Sequence, residues 1–120
     1  PAVATFLSLV LTHLGYDVTT VNDPAQALAQ FRDAPFDVDL VITDQSMPGF
    51  SGDVLLGAML ELRPDLPVIM CTAFSLEMGD RAARRLGARG YLSKPIEVDE
   101  LVHLVSESLA PPTSRITAAV

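Results

Sequence analysis

Val38-Asp39-Leu40-Val41-Ile42-Thr43-Asp44-Gln45-Ser46-Met47-Pro48-Gly49 is the stretch that decides how this chain folds. Val38 to Thr43 reads as a strand whose apolar run shows no polar alternation, the mark of a strand buried on both faces. Asp44 ends it. Gln45 to Gly52 follows with Pro48, Gly49 and Gly52, which is loop chemistry.

The same strand-then-breaker pattern recurs outward in both directions. Upstream, Val3, Phe6, Leu7, Val10, Leu11 and Leu14 recur at helical spacing, and Gly15 stops that helix. Tyr16 to Val21 reads as a short strand. Asp23-Pro24-Ala25-Gln26 opens a second helix with a capping acid, a proline at its first position and a reciprocal glutamine; Ala27, Leu28 and Phe31 form its apolar face. Downstream, Asp53 to Leu62 is a helix, Val68 to Cys71 a strand ending at Thr72, and Ser75 to Leu86 a fourth helix closed by Gly87. Gly90 to Ser93 is a strand ending at Lys94-Pro95, and Glu97 to Leu109 the last helix. Residues 1–109 thus form one domain. Residues 110–120, containing Pro111-Pro112, read as a tail or linker.

Strict alternation of helices with continuous apolar strands predicts a parallel sheet covered by helices on both faces. The beginning is irregular. A helix opens the chain, so the first strand of the repeating unit is absent from it.

Bulk properties narrow the function. The chain has 120 residues, nearly half of them apolar, and a formal net charge of -7. That size suits one core, and the acidic balance argues against a nucleic-acid surface. Arg81, Arg84, Arg85 and Arg89 form the only basic cluster, at a spacing that suits a solvated helix face. Cys71 is the single cysteine and lies in an apolar run, so a buried small hydrophobe is its reading ahead of a nucleophile. No stretch reaches the roughly 18 apolar residues of a membrane span, and the first residues lack a signal-peptide pattern. No membrane contact and a cytoplasmic location are the expectations. His13 and His103 read as surface helix residues rather than phosphohistidine sites.

Chemistry concentrates where strands end. Asp44, Thr72 and Lys94 each close a strand, and ligands of open parallel sheets bind outside those carboxyl ends. Singly, such residues are turn punctuation. Together, an acid, a hydroxyl and an ammonium suit phosphoryl transfer: the carboxylate attacks phosphorus, and the other two bind the product oxygens.

Three segments carry a family resemblance: 37–52 (Asp-Val-Asp-Leu-Val-Ile-Thr-Asp-Gln-Ser-Met-Pro-Gly-Phe-Ser-Gly), 66–73 (Leu-Pro-Val-Ile-Met-Cys-Thr-Ala) and 87–95 (Gly-Ala-Arg-Gly-Tyr-Leu-Ser-Lys-Pro). Residues 1–109 resemble the receiver domain of two-component response regulators. The resemblance implies a flavodoxin-like, doubly wound three-layer α/β/α fold. It implies that Asp44 takes a phosphoryl group from a phosphohistidine on a sensor histidine kinase or histidine phosphotransfer protein. Thr72 would turn toward the phosphoryl oxygens and Lys94 would pair with them. Ala73 would leave room, Met47, Pro48 and Gly49 would shape the loop, and Lys94-Pro95 is a candidate cis peptide. Tyr91 would be the switch aromatic; a half-buried strand tyrosine is its equal alternative. A downstream protein partner would read the face of the fourth helix, last strand and last helix.

The resemblance also implies Mg²⁺, bound in the family by two acids after the first strand, by Asp44 and by the backbone carbonyl of Ser46. In receivers that first strand is central, between the strands beginning at Tyr16 and Val38. A preceding segment, another chain or truncation would each account for the gap; a preceding segment is the expectation. The domain is expected not to be an enzyme beyond Mg²⁺-assisted self-phosphorylation and dephosphorylation. A degenerate receiver acting only as a binding module is the alternative. A haloacid-dehalogenase-type phosphatase fits less well, since Asp44-Gln45-Ser46 lacks the second acid of its motif. The Asp-Gln-x-Met-Pro form resembles receivers fused to hybrid sensor histidine kinases, and a stand-alone regulator fits equally.

Overall fold

In the computed structural model, residues 2–34, 37–44, 52–72, 87–93, 96–108 and 115–119 are described. Their elements are α1 (Ala2–His13), β1 (Asp17–Val21), α2 (Pro24–Asp33), β2 (Leu40–Asp44), α3 (Gly52–Leu62), β3 (Val68–Thr72), β4 (Gly90–Ser93), α4 (Val98–Ser108) and β5 (Arg115–Ala119). The helix expected over Ser75 to Leu86 lies outside the described residues.

Local chemistry sets the element ends. Asp23 is extended at the start of α2, and its carboxylate accepts the Ala25 N–H at 3.0 Å, as its capping role requires. Gly15 and Gly87 have φ of 102° and 104°, conformations that L side chains rarely adopt; Gly15 turns the chain from α1 toward β1, and Gly87 leads into β4.

All strands are parallel, and their order is β1-β5-β2-β3-β4. Each strand residue faces opposite to its neighbour, so the sheet feeds two cores. Leu7 and Leu11 of α1 and Leu101 and Val105 of α4 pack on Leu40, Ile42, Ile69, Cys71 and Leu92. Ala27 and Phe31 of α2 and Leu55, Leu56 and Met59 of α3 pack on Val21, Val41, Val68 and Met70. The doubly wound three-layer fold expected from sequence is therefore present. Every residue of β2 is buried, which explains its unbroken apolar run.

The tail reading fails at Arg115–Ala119. This segment is a strand in the middle of the sheet, parallel to β1 on one side and β2 on the other. The place where the sequence shows no strand is filled from the chain's own C-terminal part. Without it, β1 and β2 would face each other as unpaired edges with buried backbone groups. Ile116, Ala118 and Ala119 are buried there. If β5 is counted first, the order becomes 2-1-3-4-5, the flavodoxin-like arrangement.

Candidate functional site

The carboxyl ends of the strands bring together much of what the sequence singles out. Asp44 is the last residue of β2 and is 8% exposed, the only buried carboxylate among the described residues. Beside it in register stands Cys71 on β3, and Thr72 is the next residue of that strand. Thr72 in turn is registered with Ser93 of β4, the residue that precedes Lys94. Three strand ends thus meet at one edge of the sheet in the order the chemistry requires. The neighbouring hydroxyl of Thr43, wholly buried, donates to the Asp44 carbonyl at 3.3 Å, which satisfies it locally.

Tyr91 lies opposite Met70 in register and is half-buried against the core beneath α2 and α3. A half-buried ring suits either of its two sequence readings. Cys71 is fully buried, in keeping with its reading as a small hydrophobe. Ser46, Met47, Pro48, Gly49, Ala73, Lys94 and Pro95 lie outside the described residues, as do Arg81, Arg84 and Arg85. Arg89 is exposed. His13 is exposed, and His103 sits beside Glu107 at 3.4 Å on the exposed face of α4, as expected of surface residues.

Of the donors that the family resemblance implies for magnesium, Asp44 alone lies among the described residues. A hard cation of this kind takes carboxylate oxygens together with water and phosphate. On β5, the strand next to β2, Ala118 and Ala119 stand opposite Ile42 and Thr43, short of the level of Asp44. Among the described residues no three His, Cys, Asp or Glu side chains are grouped to hold a metal.

A second charged cluster was not anticipated from sequence. It lies at the opposite, amino end of the sheet, where β5 enters. The Arg115 N–H donates to an Asp39 carboxylate oxygen at 2.8 Å, and the Asp39 N–H donates back to the Arg115 carbonyl at 2.8 Å. The Arg115 guanidinium lies 3.4 Å from Asp37 and 3.8 Å from Asp17. Nearby, the Arg63 guanidinium donates to the Val38 carbonyl and ties α3 to the approach of β2. The sequence signal for Arg115 is slight: one cation before Ile116-Thr117, behind two prolines. No helix of the described residues is long and apolar enough to cross a membrane.

Comparison with known proteins agrees with this geometry. The family model described as the response regulator receiver domain matches residues 1–106. The DNA-binding transcriptional regulator NtrC of Rhizobium meliloti (strain 1021) is 36% identical over 114 residues, covering 95% of this chain and 23% of the relative. The transcriptional regulatory protein ZraR of Escherichia coli (strain K12) is 36% identical over 106 residues, covering 88% and 24%. The chain thus spans about a quarter of the length of these curated relatives. Among solved structures, a response regulator receiver domain protein from Clostridium thermocellum superimposes with a TM-score of 0.82 at 26% identity, covering 89% of this chain and 85% of that one. The receiver domain of NtrX from Brucella abortus gives 0.81 at 26% identity, covering 90% of each. With the family match over most of its length, a parallel sheet in the receiver order and an acid at the end of its buried strand, this chain belongs to the response regulator receiver domain family.

Proposed function

We propose that Asp44 accepts a phosphoryl group from a phosphohistidine on a sensor histidine kinase or histidine phosphotransfer protein. The observation that carries this is a buried carboxylate at the end of a central parallel strand, on the edge where β3 and β4 also end at Thr72 and Ser93. One carboxylate oxygen of Asp44 attacks phosphorus, the P–N bond to the imidazole breaks, and that nitrogen leaves with the bonding pair. The product is an acyl phosphate carrying about -1.5 to -2 charge. Lys94 and the Thr72 hydroxyl bind its oxygens. Tyr91 then changes its packing, and the face of the fourth helix, β4 and α4 is read by a protein partner. Receiver domains as a family use Mg²⁺; in this chain Asp44 and the Ser46 carbonyl would be its donors.

One observation favours a second reading. Among the described residues no three His, Cys, Asp or Glu side chains, Asp44 included, are grouped to hold a metal. On that reading the chain is a degenerate receiver, a binding module that works without phosphorylation. A single experiment separates the two. The chain and its Asp44→Asn variant are incubated with a phosphorylated histidine phosphotransfer domain and with a small-molecule phosphodonor, and intact mass is measured. A phosphoryl adduct on the native chain alone supports the phosphoacceptor. No adduct on either, with both folded, supports the binding module, and equal adducts on both would sink the Asp44 assignment.

A further inference from the structure

The strand that completes this sheet is recognised by residues far from it in sequence. β5 pairs with β1 and β2. Its entry is held by Asp17, Asp37 and Asp39 around Arg115. α4, which precedes β5 in the chain, packs against β4 at the far edge of the sheet and shares one core with Ile116 of β5. The connection, residues 109–114, reads Leu-Ala-Pro-Pro-Thr-Ser. Among the described residues, the pairing and charge contacts that hold β5 in its slot come from β1, β2 and the three aspartates, so an identical strand from another chain could make them.

We propose that the slot between β1 and β2 is an exchangeable strand-binding site, and that a second copy of this chain can fill it with its own Arg115–Ala119 in a reciprocally swapped dimer. The slot has a defined specificity. Its mouth takes a cation at the first strand position, because three aspartates converge there. Its floor takes Ile116 against the α1 and α4 core, and its far end takes small residues, here Ala118 and Ala119. A slip of one residue would carry Arg115 into the sheet and turn Ile116 to the opposite face. An opened slot exposes two facing edges of backbone donors and acceptors, which another parallel strand relieves. A second copy presents the one strand known to match. Exchange of identical elements is a low-cost route to a dimer, because every contact is reused.

Charge reversal tests this on the full chain. One variant carries Arg115→Glu; the other carries Asp17→Lys and Asp37→Lys, keeping Asp39 for the backbone contact. In each variant alone strand and mouth repel, and the thermal midpoint should fall by about 3–8 °C. A third chain with all three substitutions restores the match internally and should recover the native midpoint. The first two variants are then unfolded, mixed in equal amounts, refolded and weighed by native mass spectrometry. Exchange predicts a mixed dimer of twice the 12.8 kDa chain mass, with a midpoint within about 2 °C of the native chain. Monomers alone, each keeping its lowered midpoint while the triple variant recovers, would overturn the exchange. A triple variant that stays destabilised would overturn the electrostatic mouth itself.

Discussion

β2 and β5 lie side by side in the centre of the sheet and are registered residue for residue from Leu40 opposite Ile116 to Thr43 opposite Ala119. Both are buried on two faces over most of their length, yet they are encoded differently. β2 is a run of large apolar and β-branched residues ending in the acid of the site. β5 is Arg-Ile-Thr-Ala-Ala, with one large apolar side chain. The first strand would seek a core in any context. The second is defined mainly by the space it fills, bounded by two edges and an acidic mouth. One central strand ends in the proposed phosphoacceptor, and the other completes the sheet between β1 and β2.

The largest contrast between them is functional. Asp44→Asn should reduce phosphoryl uptake to background while the far-ultraviolet circular dichroism and thermal midpoint stay close to native, because a near-isosteric amide keeps the packing of β2. A substitution on β5 that leaves the fold intact should leave uptake measurable, which separates the two roles. Next come the stabilities. Ile42→Ala and Ile116→Ala each empty a fully packed position and should cost about 2–5 kcal/mol by urea denaturation. If Ile116→Ala cost far less than Ile42→Ala, β5 would be a loosely held passenger rather than a structural equal.

Ala118→Leu probes the opposite error. Ala118 is wholly buried between Thr20 and Ile42 in register, so added bulk should cost about 1–3 kcal/mol through overpacking. Away from the two strands, effects should shrink. Asp23→Ala removes the cap of α2 and should cost about 1 kcal/mol. Gly57→Ala, in the middle of α3 with open space around the added methyl, should stabilise by about 0.5–1 kcal/mol. Gly87→Ala should instead destabilise, since its φ is +104° and the new methyl would meet Leu60 at 2.6 Å. The sign difference between the two glycines is the cheapest check on the geometry around the sheet.

Much of this protein was legible in the sequence, for reasons that are local. The run before Asp44, the cap at Asp23-Pro24 and the stop at Gly15 each state a backbone conformation through nearest-neighbour sterics and hydrogen bonding. Helical spacing alone placed Leu7, Leu11, Ala27 and Phe31 on core faces, where the structure buries them. The acid at a strand end and the motif order were enough to point to the family. β5 was not legible. Five residues containing two alanines and a charge carry little strand propensity of their own, and the two prolines before them read as a linker.

The sequence by itself therefore determined the four described helices, four of the five described strands, the receiver family and the place of Asp44 at the end of a buried strand. Only the tertiary structure decided that Arg115–Ala119 is the central strand, and that Arg115 meets Asp17, Asp37 and Asp39. The physical reason is that a strand's pairing is a property of its neighbours. Backbone groups on β1 and β2, nearly a hundred residues away along the chain in one case, need partners, and that need appears in no local pattern of the segment that meets it.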